Sequence, residues 1–301
     1  MTAKLIQPTD PIEVSQICAL CYGQPGSRKS SLCQTADEPI TLAMDPGIYR
    51  AYGRKTAALF DTWRDVLDFN LDGYKTVVVD TIGMCLDKLG QAVIADSPKN
   101  GNRLGGLSLQ GYGQLKVQFA AWVTSCRARG QDLVFTAHEK VERNGDDPYY
   151  CPDIIGGSYA TVMNVADCVG YLHHERGRQV IDFAPTDRWM AKSPPCGWGQ
   201  LPLPDFGREP DYLARLLSEA KASMGRVSAA SAEIAGMVEK WQDFLINSGS
   251  DIDRINAALP DLGQLSNGVK KQAWHATVAY CEEHGFAFDR EAKRFVAKGA
   301  A

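Results

Sequence analysis

The sequence contains no apolar run long enough to cross a membrane, and its first residues lack the pattern of a signal peptide. Nine cysteines in a chain without that pattern are typical of reduced thiols. We therefore expect a cytoplasmic protein without a membrane partner. A length of 301 residues predicts one large or two moderate domains.

The cysteines also lack the spacing of a zinc site. Cys18 and Cys21 form a C-x-x-C pair, but no second pair follows at the required distance, so core cysteines are the better interpretation. His173, His174 and Glu175 stand at a turn between two strand-like runs, which favours a solvated hairpin over a metal site. The net charge of −4 gives no overall attraction to nucleic acid, so any such binding must come from local patches.

One glycine is missing from an otherwise complete phosphate-binding loop, whose pattern is Gly-x-x-x-x-Gly-Lys-Ser/Thr. The candidate nucleotide-binding residues are Gly23, Gln24, Pro25, Gly26, Ser27, Arg28, Lys29, Ser30 and Ser31. An apolar run precedes this loop and a helical segment follows, so backbone N–H groups and a helix N-terminus would surround the phosphates. Lys29 would reach the β- and γ-phosphates and Ser30 would ligate Mg²⁺, which predicts ATP and Mg²⁺ as cofactors.

Arg28 occupies the position of the missing glycine. Glycine there avoids a Cβ near the phosphates and accepts a positive φ. With arginine, we expect an ordinary backbone conformation and an outward side chain. Binding by the backbone is compatible with that conformation, whereas hydrolysis is more sensitive because it requires accurate placement of the reacting groups.

Strand-like and helical segments alternate from residue 16 to about residue 190. The strand-like runs are 16–22, 39–45, 74–80, 132–138, 167–172 and 179–185, and the helical candidates are 30–36, 55–69, 84–95 and 114–129. This alternation predicts an α/β fold with a mostly parallel sheet covered by helices. Ligands of such sheets bind at the carboxyl ends of the strands.

The domain prediction has three parts. Residues 1–224 form an ATP-binding domain that closes with a helix at 209–224. Residues 225–233 have the composition of a linker. Residues 234–301 form a small, mainly helical partner-binding or assembly module that ends in a short hairpin or strand.

Three polar residues follow predicted strands. Asp80 ends a Thr-Val-Val-Val-Asp run of Walker B form and would hold Mg²⁺ through a water molecule. Asp45 is either the base that orients the attacking water or a turn aspartate before Pro46, and both interpretations stay open. His138 either contacts the γ-phosphate or is a satisfied histidine at a strand end.

The order of these motifs, together with Ala-His-Glu-Lys at 137–140 and Arg-Trp-Met-Ala-Lys at 188–192, resembles the RecA-like P-loop ATPases of bacteriophages linked to single-strand annealing and recombination. The resemblance covers about 16–220. It implies a RecA-like core and a DNA-dependent ATPase, located in the host cytoplasm if phage-encoded. It also implies a homo-oligomer, as a ring or filament, that binds single-stranded DNA. For the C-terminal module, which lies outside the resemblance, we expect a single-strand-binding protein as the partner.

The resemblance assigns catalytic roles to Lys29, Asp45, Asp80, His138 and Lys192. Asp45 falls where the family usually has glutamate, which weakens its role as a base. Lys192 would reach the γ-phosphate of a neighbouring subunit, with Arg188 as the second choice, and a solvated lysine before a proline turn is the alternative.

In RecA-like folds, loops after the third and fourth core strands line the DNA path. The corresponding segments are 97–113 and 139–158. They offer cations for phosphates and aromatic rings for bases, a combination typical of single-strand binding. The candidate DNA-binding residues are Lys99, Arg103, Tyr112, Lys140, Arg143, Tyr149 and Tyr150.

Two alternatives remain open. The chain is either a nucleotide-binding scaffold or DNA-binding subunit with little turnover, or a P-loop kinase of a small substrate. A kinase would need an arginine-rich lid, and the sequence shows no clear candidate for one.

Overall fold

The computed structural model describes residues 5–145, 147–154 and 158–298. Two compact units divide the chain, one of Val14–Met224 and one that combines Met1–Glu13 with Gly225–Ala301. The segment before Val14 therefore groups with the C-terminal unit, whereas the sequence analysis assigned it to the ATP-binding domain. Within the described residues, no helix is long and apolar enough to span a bilayer.

One large sheet dominates the first unit, and nine strands of the described residues form it. They are β1 (Cys18–Gly23), β2 (Pro39–Ala43), β3 (Ala57–Leu59), β4 (Thr76–Asp80), β5 (Asp132–Asn144), β6 (Asp147–Pro152), β7 (Cys168–Glu175), β8 (Arg178–Asp182) and β9 (Gln200–Pro202). Their order is β3-β2-β4-β5-β1-β7-β8-β9, with β6 paired to β5. The pairs from β3 to β7 are parallel, whereas β6, β8 and β9 join by antiparallel pairing.

Helices cover both faces of this sheet. They are α1 (Lys29–Cys33), α2 (Trp63–Asp68), α3 (Ile82–Asp96), α4 (Leu109–Ala128), α5 (Ser158–Val165) and the start of α6 (Tyr212–Ser248). Successive residues of β4 point to opposite faces: Val77 and Val79 pack with α2, α3 and α4, whereas Val78 packs with α1 and α6. The predicted α/β fold with a mostly parallel, two-faced sheet is confirmed, because its strands are apolar on both faces.

The parallel strands place the carboxyl ends of β1, β2 and β4, and the middle of β5 at His138, at one edge. Each of these positions carries or leads into a polar residue or loop that the sequence singled out, so the sheet assembles them into one region. A short strand, β3, and the helix α2 stand where the sequence predicted one helix at 55–69. Eight of the nine cysteines are buried as free thiols, and burial raises the pKa of Cys21 to about 12.

The C-terminal unit contains the rest of α6, α7 (Ile252–Gln264), α8 (Asn267–Glu283), β10 (Phe286–Asp289) and β11 (Arg294–Ala297). Its core joins Leu245, Ile255, Cys281 and Phe295. β10 and β11 form the antiparallel hairpin expected near the C-terminus. The linker prediction at 225–233 is wrong, because these residues lie inside α6; their alanines and serines permit a helix.

Candidate active site

The phosphate loop connects β1 to α1 and requires glycine at its first position. A Cβ built on Gly23 would stand 2.2 Å from the backbone oxygen of Leu172 on β7. Such an approach is far below normal van der Waals contact, so a larger residue would separate β1 from β7. Gly26 has a φ of 83° and supplies the left-handed turn of the loop.

Arg28 adopts a left-handed backbone conformation, of the kind that glycine accepts most readily. Its φ of 67° and ψ of 20° are left-handed, and it is the N-cap residue of α1. The expectation of an ordinary backbone is therefore wrong. The guanidinium Nη2 donates to the oxygen of Pro204 at 2.9 Å, and the guanidinium carbon lies 4.1 Å from the ring centroid of Phe206.

These two contacts explain how arginine is tolerated in the loop. A left-handed residue with a Cβ costs about 1–2 kcal/mol. The cation–π contact contributes about 0.5–2 kcal/mol and the hydrogen bond about 1 kcal/mol, so the contacts offset the strain. The loop thus keeps a glycine-like backbone that can present N–H groups to phosphates.

Lys29 lies folded into the loop. Its Nζ donates to the oxygens of Gly23 and Gln24, each at 2.8 Å, and lies 3.3 Å from Oγ of Ser27. Burial lowers the pKa of this lysine, and the negative charge of Asp80 opposes the shift. The present acceptors of the ammonium group are uncharged oxygens. A negatively charged phosphate in the cavity would therefore be a stronger partner for Lys29 than these oxygens are.

Asp80 ends β4 beside the loop. Its Oδ1 accepts a hydrogen bond of 2.6 Å from Oγ1 of Thr136 on the adjacent β5. This bond fixes the carboxylate orientation. Because it uses one oxygen, the other is left to hold a cation or its water.

His138 lies on β5, directly opposite Gly23 in the parallel pairing of β1 and β5. Its side chain is exposed, and its backbone oxygen accepts from the N–H of Asp153. Since β5 lies between β1 and β4 in the sheet, it brings the imidazole of His138 to the edge that carries the phosphate loop and Asp80. Contact of His138 with a γ-phosphate stays a prediction.

A cavity of about 400 Å³ joins these groups at one edge of the sheet. It is lined by Lys29, Ser30, Asp45, Asp80 and His138, together with Arg28, Ser31 and Arg50. Loop amides, an ammonium group, a hydroxyl and a carboxylate are the donors and ligands that a nucleotide triphosphate with Mg²⁺ needs. The residues present therefore fit both cofactors.

Residues 15–194 match a protein-family model described as an AAA domain. The chain belongs to the AAA-domain family of P-loop ATPases. The match covers more than half of the sequence and leaves the C-terminal unit outside. Members generally use ATP and Mg²⁺, which agrees with the cavity. No curated protein matches the sequence.

Two predicted site residues of this AAA domain have other contacts. Oδ1 of Asp45 accepts from the N–H of Gly47 at 2.5 Å and caps the 3-10 turn Pro46–Arg50, as a turn aspartate would. Its carboxylate still lines the cavity, so its role as a base stays a prediction. Oγ of Ser31 accepts from the N–H of Tyr52 at 3.0 Å, which makes Ser31 a support of the loop.

Lys192 lies away from the phosphate loop of its own chain. Its Nζ donates to the backbone oxygen of Ala166 at 2.6 Å. The residue after Ala166 is Asp167, whose N–H donates to the backbone oxygen of Cys18 at the start of β1. Lys192 is thus at the amino edge of the sheet, opposite the cavity. Contact with a neighbouring subunit's nucleotide stays a prediction.

The first predicted DNA segment is shorter than expected, because α4 begins at Leu109. Tyr112 is therefore helical and half-buried, whereas Lys99 and Arg103 are exposed. The side chain of Asn102 organises the turn by accepting from the N–H groups of Leu104 and Gly106.

The second predicted DNA segment is a β-hairpin for most of its length, because β5 runs past His138 to Asn144 and pairs with β6. Lys140 is paired with Glu142 at 2.7 Å. Tyr149 bonds to Met190 and Tyr150 stacks on Tyr171, so both rings are half-buried. Arg143 is exposed. Residues 146 and 155–157 of this segment lie outside the described residues.

Sequence reasoning missed three contributors to the site. Thr136 orients Asp80, and its signal was a polar residue two positions before His138 on a buried strand. Arg50 brings a cation into the cavity, and the one sequence signal for this was its position shortly after Asp45. Phe206 supports Arg28 from a distant loop, and no local pattern could reveal that contact.

Proposed function

We propose that this AAA domain is a Mg²⁺-dependent ATPase that acts on single-stranded DNA, in phage recombination, annealing or replication. The observation that carries the ATPase part is the single cavity that gathers Lys29, Ser30, Asp80 and His138. Lys29 and Ser30 begin α1, Asp80 ends β4 and His138 lies within β5, so their convergence is a property of the folded sheet.

The residues have distinct roles in this proposal. Loop N–H groups and Lys29 bind the phosphates, and Ser30 with Asp80 holds Mg²⁺. His138 contacts the γ-phosphate and Asp45 orients the attacking water with the oxygen that Gly47 leaves unused. Arg50 adds positive charge where negative charge develops.

The DNA part is supported by the resemblance and by the continuity of β5. His138 in the cavity and Arg143 in the hairpin belong to the same hydrogen-bonded strand. The five-residue step from His138 to Arg143 spans roughly 17 Å of continuous strand. A small displacement of His138 on nucleotide binding would therefore be transmitted along β5 to the hairpin. Arg143, Lys99 and Arg103 are the exposed cations available for phosphates in the proposed segments.

Assembly is part of the same proposal. A ring or filament would place Lys192, at the far edge of the sheet, toward the nucleotide of a neighbouring subunit. The C-terminal unit would serve assembly or bind a partner such as a single-strand-binding protein. Size-exclusion chromatography with light scattering, with and without ATP and DNA, measures the assembly.

A scaffold with little turnover is the second candidate, because the Asp45 carboxylate already caps a turn. It would bind ATP without releasing phosphate.

Phosphate release, with and without single-stranded DNA, tests both candidates on the wild type, Lys29→Ala and Arg28→Gly. We expect DNA-stimulated turnover that Lys29→Ala abolishes. Turnover that appears only in Arg28→Gly would favour the scaffold. Turnover indifferent to DNA would contradict the DNA part and favour a small-substrate kinase, which phosphate transfer to candidate acceptors would then test.

A further inference from the structure

A second cavity lies on the other flank of the phosphate loop. Its volume is about 480 Å³, and Gln24–Ser27 form one wall. The opposite wall consists of the end of β7 and of Arg188 and Trp189, with Tyr150 from β6. The two cavities share Pro25 and Gly26, so the loop separates them.

Aromatic rings build one side of this second cavity. Tyr171 stacks on His173 at 4.9 Å and on Tyr150 at 5.7 Å between centroids, with interplanar angles of 17° and 22°. The Trp189 centroid lies 5.2 Å from that of His173. Behind Tyr171, Tyr22 continues the stack at 4.9 Å.

Hydrogen bonds hold these rings in place. Nε1 of Trp189 donates to the oxygen of Ala184 at 3.1 Å, and the hydroxyl of Tyr171 donates to Glu139 at 2.9 Å. The polar atoms of Trp189 and Tyr171 are thus satisfied within the protein, and ring surfaces remain to line the cavity. A pre-formed wall of this kind suits a flat ligand with a π system.

Two polar groups at the cavity lack partners. The exposed guanidinium of Arg188 makes no hydrogen bond or ion pair with the described residues. Nε2 of His173 is buried, and it too has no hydrogen-bond partner among them. Gln200 donates to the carboxylate of Glu175, which also lines the cavity and keeps its negative charge, so Arg188 supplies a cation without an ion-pair partner among the described residues. A ligand with an anionic group would pair with Arg188.

We propose that this second cavity binds one nucleotide unit of a nucleic-acid strand, with its base against Trp189 and His173 and its phosphate on Arg188. Base–aromatic stacking with a cation on the backbone is the chemistry of single-strand binding. This inference rests on the proposed function and specifies where the DNA enters. Because Pro25 and Gly26 line both cavities, a bound base would contact the loop that holds ATP.

Photo-cross-linking of a 12-nucleotide oligo(dT) that carries 5-iododeoxyuridine tests the proposal on the intact chain. We expect cross-links at Tyr150 or Trp189, located by peptide mass spectrometry. Binding by fluorescence anisotropy should weaken at least about fivefold in Trp189→Leu. In Arg188→Ala, the slope of log affinity against log salt should fall by about one. Lys116→Ala, which removes an exposed cation on α4, is the control that should keep wild-type affinity.

The outcomes separate this proposal from the function on which it rests. A wild type that binds no oligo(dT) with or without ATP would overturn both. Wild-type binding that persists in Trp189→Leu and Arg188→Ala, with cross-links confined to other segments, would overturn the cavity assignment alone. The third outcome comes from competition with unlabelled ligands at equal nucleotide concentration. If thymidine monophosphate protects Trp189 from cross-linking as well as oligo(dT) does, the occupant is a free nucleotide, and the proposal of a nucleic-acid strand is wrong.

Discussion

The guanidinium carbon of Arg28 lies 4.1 Å from the ring centroid of Phe206, 178 positions later in the sequence (206 − 28). This contact holds a left-handed arginine at a loop position where the phosphate-binding pattern has glycine. It makes the 203–208 segment part of the phosphate loop's support, although that segment contributes nothing to the motif itself.

The first prediction concerns the strain at Arg28. Arg28→Ala should lower the free energy of unfolding by about 1–3 kcal/mol, because alanine keeps the left-handed strain and loses both contacts. Arg28→Gly should be more stable than Arg28→Ala by about 1 kcal/mol, since glycine removes the strain. Urea denaturation of the two variants measures the difference. At unstrained positions alanine is usually more stable than glycine. If Arg28→Ala is more stable than Arg28→Gly, the assignment of a left-handed backbone is contradicted.

The second prediction concerns the charge on Lys29. Burial lowers its folded pKa below 10.5, although Asp80 and Glu139 oppose the shift. The unfolded chain therefore binds more protons between the two pKa values, and stability rises with pH in that interval. As the pH rises toward 10.5, the wild type should gain stability relative to Lys29→Met, which carries no titrating group at this position. Parallel curves for the two proteins would show that Lys29 has an ordinary pKa.

The third prediction concerns the orientation of Asp80. Thr136→Val removes the 2.6 Å hydrogen bond to Oδ1 and changes little else in a buried strand position. The Mg²⁺ concentration for half-maximal ATP hydrolysis should rise a few-fold, because a loss of about 1 kcal/mol in positioning is about a fivefold change. The matched control is Thr76→Val, whose hydroxyl donates to Asp37 elsewhere on the sheet. An equal Mg²⁺ requirement in all three proteins would exclude a positioning role for Thr136.

The fourth prediction concerns the segment that the sequence analysis took for a linker. Ala229 is exposed inside α6, so Ala229→Pro should cost about 3 kcal/mol and lower the helical circular dichroism signal. Ala229→Gly should cost only about 1 kcal/mol. Thermal unfolding of both variants measures this order. A proline variant as stable as the wild type would indicate a flexible linker after all.

The core of the candidate site was predictable because its signals are local. A strand, a glycine-containing loop and Lys-Ser follow one another at 18–31, and Asp80 follows three valines. Each signal depends on neighbours in the chain, and the alternation of elements then predicts that the strand ends meet at one edge. His138 was placed correctly at that edge by the same reasoning, whereas its role stays a prediction.

The extent of β5 was not predictable from its own residues. Charged and polar residues at 139–144 suggest a loop, but β6 supplies hydrogen-bond partners for their backbone and keeps them extended. The helix at 225–233 escaped detection for a related reason, since small residues are compatible with both a linker and a helix. Pairing and packing with distant residues decide such cases.

The sequence by itself determined the strand–loop–helix unit, the acidic strand end and the parallel two-faced sheet, because propensity and hydrophobic periodicity act over a few residues. Only the tertiary structure decided that Arg28 adopts a left-handed conformation against Phe206, that Thr136 orients Asp80, and that aromatic rings from three segments line a second cavity. These relationships join residues far apart in the chain. Their free energy comes from contacts that exist only after the sheet has assembled.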